Sequence, residues 1–133
     1  MLARRRATSL ADKPYCPTSG EIIRLNFTPQ VGHEICGFHP ALVLSPRTYN
    51  RPSKLCVVCP ITSKGKGYPF EVPVPFKLKT GGVILADQVK SLSWHDRAAE
   101  YVEKAPADLV EQVRAVVAAL LEIETVADED AEA

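Results

Sequence analysis

The sequence predicts a small, mainly β domain covered by one C-terminal α-helix, built as a twisted sheet or half-open barrel. Three observations carry this. Between Gly20 and Ala105 the apolar residues come in short runs broken by Gly, Pro, Asn and Ser, as in strands joined by tight turns. After Pro106 the apolar spacing switches to that of a helix. The chain has 133 residues, 46% apolar and 24% charged, which suits one globular domain with one core.

The elements follow in order. Residues 1–19 are charged, small and proline-bearing, and read as a flexible basic leader that includes Cys16. "EIIRLNF" is a strand with Ile23, Leu25 and Phe27 on one face. "TPQVGHEICGFHP" is a long loop, and "ALVLS" a strand buried on both sides. "PRTYNRPS" is a turn-rich connection before the buried strand "KLCVVCPIT". "SKGKG" is a flexible basic loop. "YPFEVPV" alternates, and its prolines make it an edge strand. "VILADQVKSL" reads as one further strand, "SWHDRAA" as a turn and "EYVEKA" as a last short strand. That makes five or six strands. The helix starts at Pro106, ends near Ile123, and places Leu109, Val110, Val113, Val116, Val117, Leu120 and Leu121 on its apolar face. The domain spans 20–123, and 124–133 is an acidic disordered tail.

The formal net charge is zero, but the charges are unevenly placed. From Arg47 to Lys90 there are eight bases and two acids, a local excess of six, whereas 124–133 holds five acids and no base. A basic middle and an acidic tail cancel in the sum and not in space. No apolar run approaches the ~18 residues of a membrane span, and the basic start lacks the apolar segment of a signal peptide. The chain reads as cytosolic, with free thiols.

Few groups carry chemistry. Cys56 and Cys59 form C-x-x-C on a strand, where residues three apart point to opposite faces, so they read as core and not as a metal site. Cys36 lies in the loop before the second strand, with no role assigned. "SKGKG" lacks the spacing of a phosphate-binding loop. Its Lys64 and Lys66 are either solvated or guide a nucleic-acid backbone. Thr62 and Ser63 end a buried strand, and either form a turn or donate to a phosphate. Asp87 follows four apolar residues, and either caps a turn or marks a site. His33, Glu34 and His39 share one loop, the usual place for function and equally for plain surface residues. His95 reads as structural.

The order of three motifs, "GEIIRLNFTPQVGHE" running into "PALVLSP", then "CPITSKGKGYPFEV", then "GVILADQVKSL", resembles the MazF/PemK toxins, the endoribonuclease halves of type II toxin–antitoxin pairs. The resemblance covers residues 20–121. It implies an SH3-like, Kid/CcdB-type twisted antiparallel sheet with a C-terminal helix. It implies a homodimer with single-stranded RNA along a groove at the subunit interface. The activity implied is sequence-specific cleavage of single-stranded mRNA to 2′,3′-cyclic phosphate and 5′-hydroxyl ends, without metal or other cofactor. A cognate MazE-like antitoxin would bind the same groove, and DNA would be bound only through the antitoxin complex. In such a site Thr62 maps to the phosphate donor, with Ser63 beside it, and Glu34 to the loop glutamate. Val31, His33, Tyr68, Pro69, Asp87 and Gln88 map to base contacts.

One departure divides the readings. His39 stands where the family pattern has an arginine, and Arg24 where many members carry an aromatic residue. Arginine is always charged and donates in a fixed fork, whereas histidine titrates near neutrality. The main reading is a ribonuclease with Thr62, His39, Glu34 and Ser63 at the reacting phosphate. The alternative is a weakly active or inactive relative that binds RNA or antitoxin. A CcdB-like gyrase poison is a minor third.

Overall fold

The computed structural model describes residues 15–29 and 32–124. Val31, most of the leader and the tail from residue 125 lie outside that range. Among the described residues there are seven strands: β1 (Glu21–Asn26), β2 (Phe38–Val43), β3 (Leu55–Thr62), β4 (Glu71–Pro73), β5 (Val83–Leu85), β6 (Lys90–Ser93) and β7 (Glu100–Lys104). Two α-helices join them, α1 (Arg47–Ser53) and α2 (Ala107–Leu120), with a 3-10 turn at Ala86–Gln88. All pairings are antiparallel, in the order β4-β5-β3-β2-β1-β7, with β6 also on β3.

Period-two alternation builds a core on each side of this open sheet. Ile22, Leu42, Cys59 and Ile61 point to one face, where Leu109, Val110 and Val113 of α2 cover them. Ile23, Leu25, Ala41, Val43, Cys56 and Val58 point to the other, against Trp94 and Phe27. Cys56 and Cys59 therefore sit in different cores, both fully buried. Burial pushes each thiol up to about 12, so they pack as small apolar groups.

Tertiary contacts override the sequence reading in several places. The leader reading is corrected for residues 15–19: Cys16 and Pro17 are buried, and the packed domain includes them. The connection at 47–53 is a helix. Buried Asn50 decides it, since its side-chain amide donates to the carbonyls of Pro17 and Ser45, at 2.8 and 2.9 Å, and accepts from the Ser45 hydroxyl at 2.6 Å. The Asn50 carbonyl also takes the Trp94 indole N–H at 2.9 Å. The edge strand shrinks to Glu71–Pro73, leaving Tyr68 and Phe70 before it. "VILADQVKSL" breaks at the 3-10 turn into β5 and β6, because the two pair with different stretches of β3. The last helix ends at Leu120, with Leu120, Leu121 and Ile123 exposed.

One clamp fixes the β4–β5 hairpin. The Glu103 carboxylate on β7 accepts the N–H groups of Lys79 and Thr80, at 3.0 and 2.8 Å, and the Thr80 hydroxyl at 2.8 Å. Burial acts to raise the Glu103 pKa, but these hydrogen bonds outweigh it and hold the group below its ordinary value. The clamp therefore adds stability above the usual carboxylate range and loses it as acid protonates the folded state. Glu103→Gln is expected to lower stability by about 1 kcal/mol at pH 7. The gap to the parent should shrink toward pH 3, as read from urea midpoints across pH 3–7. A constant gap would show that the charge is not what holds the loop.

Candidate active site

Two adjoining cavities open where β2 begins and β3 ends. The first, about 510 Å³, is lined by Glu34, Ile35, Cys36, His39, Pro40, Ile61, Thr62, Ser63, Lys64 and Gly81. The second, about 450 Å³, is lined by His33, Ile35, Thr62, Lys64, Lys66, Tyr68, Phe70, Glu71, Leu85, Asp87 and Gln88. Thr62, Lys64 and Ile35 belong to both, so the two form one continuous groove.

His39 lies on a strand, not in the loop before it: β2 begins at Phe38. Its partner on β1 is Leu25. The β2–β3 ladder pairs Ala41 with Pro60 and Val43 with Val58. That ladder stops at Ala41 and Pro60, and just beyond it His39 and Thr62 line the same cavity. The imidazole and the hydroxyl thus converge from the ends of neighbouring strands, a more rigid placement than a loop provides.

Local hydrogen bonds orient the groups. The Lys64 N–H donates to the Thr62 hydroxyl at 3.1 Å, which leaves the hydroxyl proton free to donate to another acceptor. Glu34 pairs with Lys90 of β6 at 3.8 Å. The Gln88 side-chain carbonyl accepts the Ile35 N–H at 3.1 Å, tying the loop before β2 to the 3-10 turn. Glu71 accepts the N–H groups of Lys66 and Gly67, at 3.1 and 3.0 Å, and so holds the "SKGKG" loop beside the groove. Tyr68 is half exposed, with its ring 5.2 Å from that of Phe70, an aromatic face for stacking.

Of the residues singled out from the sequence, His39, Glu34 and Ser63 line the first cavity, and His33, Tyr68, Lys66, Asp87 and Gln88 the second, with Thr62 and Lys64 in both. Pro69 lies in an exposed turn and lines neither. Val31 lies outside the described residues. Lys90, Phe70, Glu71, Gly81 and Gly82 were not singled out: Lys90 and Gly82 meet Glu34 and Thr62 only across the fold, and the loop contacts of Glu71 are local but carry no motif.

Gly82 shows this best. It has φ +112°, and a Cβ there would fall 2.1 Å from the Thr62 carbonyl oxygen. The β5 backbone needs that approach, since Val83 pairs with Thr62.

Residues 18–121 match the model of a family described as the PemK-like, MazF-like toxin of type II toxin-antitoxin systems. The chain belongs to this family. Among its relatives, the endoribonuclease toxin MazF of Escherichia coli (strain K12) is 46% identical over 85 residues, 64% of this chain and 76% of the relative. The endoribonuclease PemK of Escherichia coli is 32% identical over 98 residues, 71% of this chain and 74% of the relative. The crystal structure of MazF from Deinococcus radiodurans superposes with a TM-score of 0.79 at 50% identity, covering 82% of this chain and 99% of the other. A MazE–MazF crystal structure from the same organism gives 0.74 at 45% identity, covering 84% and 100%. The MazF-like fold, an open antiparallel sheet with a C-terminal helix, is therefore shared.

Gly82→Ala is expected to cost about 2–3 kcal/mol, from the positive φ and the backbone clash. Gly81→Ala, where an added Cβ meets nothing within 4 Å, should cost under about 1 kcal/mol. Denaturant titration of both variants compares them, and equal costs would contradict the tight approach at Thr62.

Proposed function

We propose that this chain is the toxin of a toxin–antitoxin pair and cleaves single-stranded RNA without a metal ion. The observation that carries the reading is the convergence of Thr62, His39, Glu34 and Lys64 on one cavity. Beside it lies an aromatic and amide-bearing cavity suited to unpaired bases.

The chemistry follows from those groups. His39 takes the proton of a ribose 2′-hydroxyl as its oxygen bonds to the adjacent phosphorus. Negative charge builds on the non-bridging oxygens of the five-coordinate intermediate. The Thr62 hydroxyl and the Lys64 ammonium lie beside it to stabilise that charge. The bond from phosphorus to the 5′-oxygen then breaks, and that oxygen takes the proton that His39 accepted. The products are a 2′,3′-cyclic phosphate and a 5′-hydroxyl, and no water is consumed. Glu34, paired with Lys90, is the second acid/base candidate, and Ser63 a second hydroxyl donor. His33, Tyr68, Asp87 and Gln88 read the bases, with Lys66 on the backbone. A dimer that joins two such grooves, and an antitoxin that competes for them, complete the reading. Names of relatives that include both a toxin and its complex with MazE support it.

A second reading rests on His39 itself. Without a permanently charged fork at that position, the groove binds RNA or antitoxin and turns over slowly. The ribonuclease names of the relatives give the gyrase reading no support.

The deciding experiment is cleavage of a mixed-sequence RNA in EDTA, with the termini mapped. The parent should cut and leave cyclic phosphate, and Thr62→Ala should be slower by ~10²–10³-fold. Both the parent and His39→Arg are assayed at several pH values between 5 and 8. RNA left intact across this range, together with toxicity gained by His39→Arg in cells, would select the binding reading.

A further inference from the structure

We propose that Arg24 and Phe38 form a subsite for the nucleotide that flanks the reacting phosphate. The proposal rests on the RNA reading above and extends it beyond the two cavities. The Arg24 guanidinium carbon lies 5.0 Å above the centre of the Phe38 ring. Both side chains are exposed, Phe38 by 39%. Most large apolar side chains of the two central strands are buried, so an exposed ring at the start of β2 needs a reason.

The ladder supplies the placement. Arg24 faces Pro40, and Asn26 faces Phe38, on the β1–β2 register. Phe38 and Pro40 lie two residues apart on one strand, so they share a face about 7 Å apart. Pro40 lines the cavity that holds His39 and Thr62. Phe38 and Arg24 line neither cavity, but Phe38 directly precedes His39 on β2, which sets the ring, with Arg24 above it, in reach of RNA that leaves the cavity past Pro40.

The chemistry matches one class of ligand. An exposed aromatic ring stacks any unpaired base, and a guanidinium both stacks and pairs with phosphate. Among the described residues Arg24 has no ion-pair partner. Glu100 faces it across the β1–β7 ladder without closing one. Its charge thus remains open to an anion. An unpaired nucleotide offers a flat base and a phosphate together, and the ring adjoins, along β2, the His39 of the cavity proposed to cleave RNA.

The test uses an RNA that the parent cleaves and a copy blocked by 2′-deoxy at the cut site. Phe38→Ala and Arg24→Gln should each raise KM about tenfold with kcat within twofold. Phe38→Trp should keep parental KM. Phe38→Leu, which keeps apolar bulk without a ring face, should behave like the alanine variant. An abasic nucleotide scanned through the blocked copy should weaken parental binding about tenfold at one flanking position, and cost Phe38→Ala nothing there. Arg24→Gln should also lower the salt slope of binding by about one. Variants that match the parent in KM and in the abasic scan overturn the subsite and leave the ribonuclease reading standing. So does a loss confined to kcat. A parent that neither cleaves nor binds overturns both.

Discussion

The divided edge of β3 is the constraint from which the rest follows. One edge of this strand pairs with β2, while the other is shared, Leu55–Val58 with β6 and Ile61–Thr62 with β5. A strand eight residues long cannot serve two partners on one edge unless the chain turns between them. The 3-10 turn at Ala86–Gln88 makes that turn, with Ala86 buried beneath it. The turn in turn exposes Asp87 and half-buries Gln88 beside the groove. The site is thus a by-product of how one central strand is shared.

The site loops are then set by side chains that hydrogen-bond to backbone. Glu103 holds Lys79 and Thr80, Glu71 holds Lys66 and Gly67, and Gln88 holds Ile35. Each acceptor satisfies N–H groups that no strand pairing reaches. None of these contacts is local to the loop it secures except that of Glu71. They place Gly81, the basic loop and Glu34 around Thr62 without a large hydrophobic contact at the groove, which leaves the groove open.

Charge is arranged on the same principle. Net neutrality conceals a groove with Lys64, Lys66 and Lys90 at its edge, of which Lys90 is paired to Glu34. A polyanion is attracted to such a groove whatever the net charge of the chain. The imidazole of His39 sits in it beside a hydroxyl whose own hydrogen bond is already directed by Lys64. The lysines of the groove thus sit on a tethered loop, and the imidazole on a strand.

Much of this was legible in residue order. Period-two runs locate β1, β2, β3 and β7, the change of period at Pro106 locates α2, and three motifs in series name the family. That Thr62 ends a strand was readable because its own apolar run marks the strand end. What depended on tertiary structure is equally specific. Turn-forming residues at 47–53 became helix because Asn50 is buried between Pro17, Ser45 and Trp94. Cys16 became core, and His39 moved from loop to strand because pairing with Leu25 starts β2 early. Sequence determines local period, turn chemistry and charge, since these depend on neighbours along the chain. Register, the division of β3 and the approach of Gly82 to Thr62 depend on neighbours across the sheet, and only folding decides them.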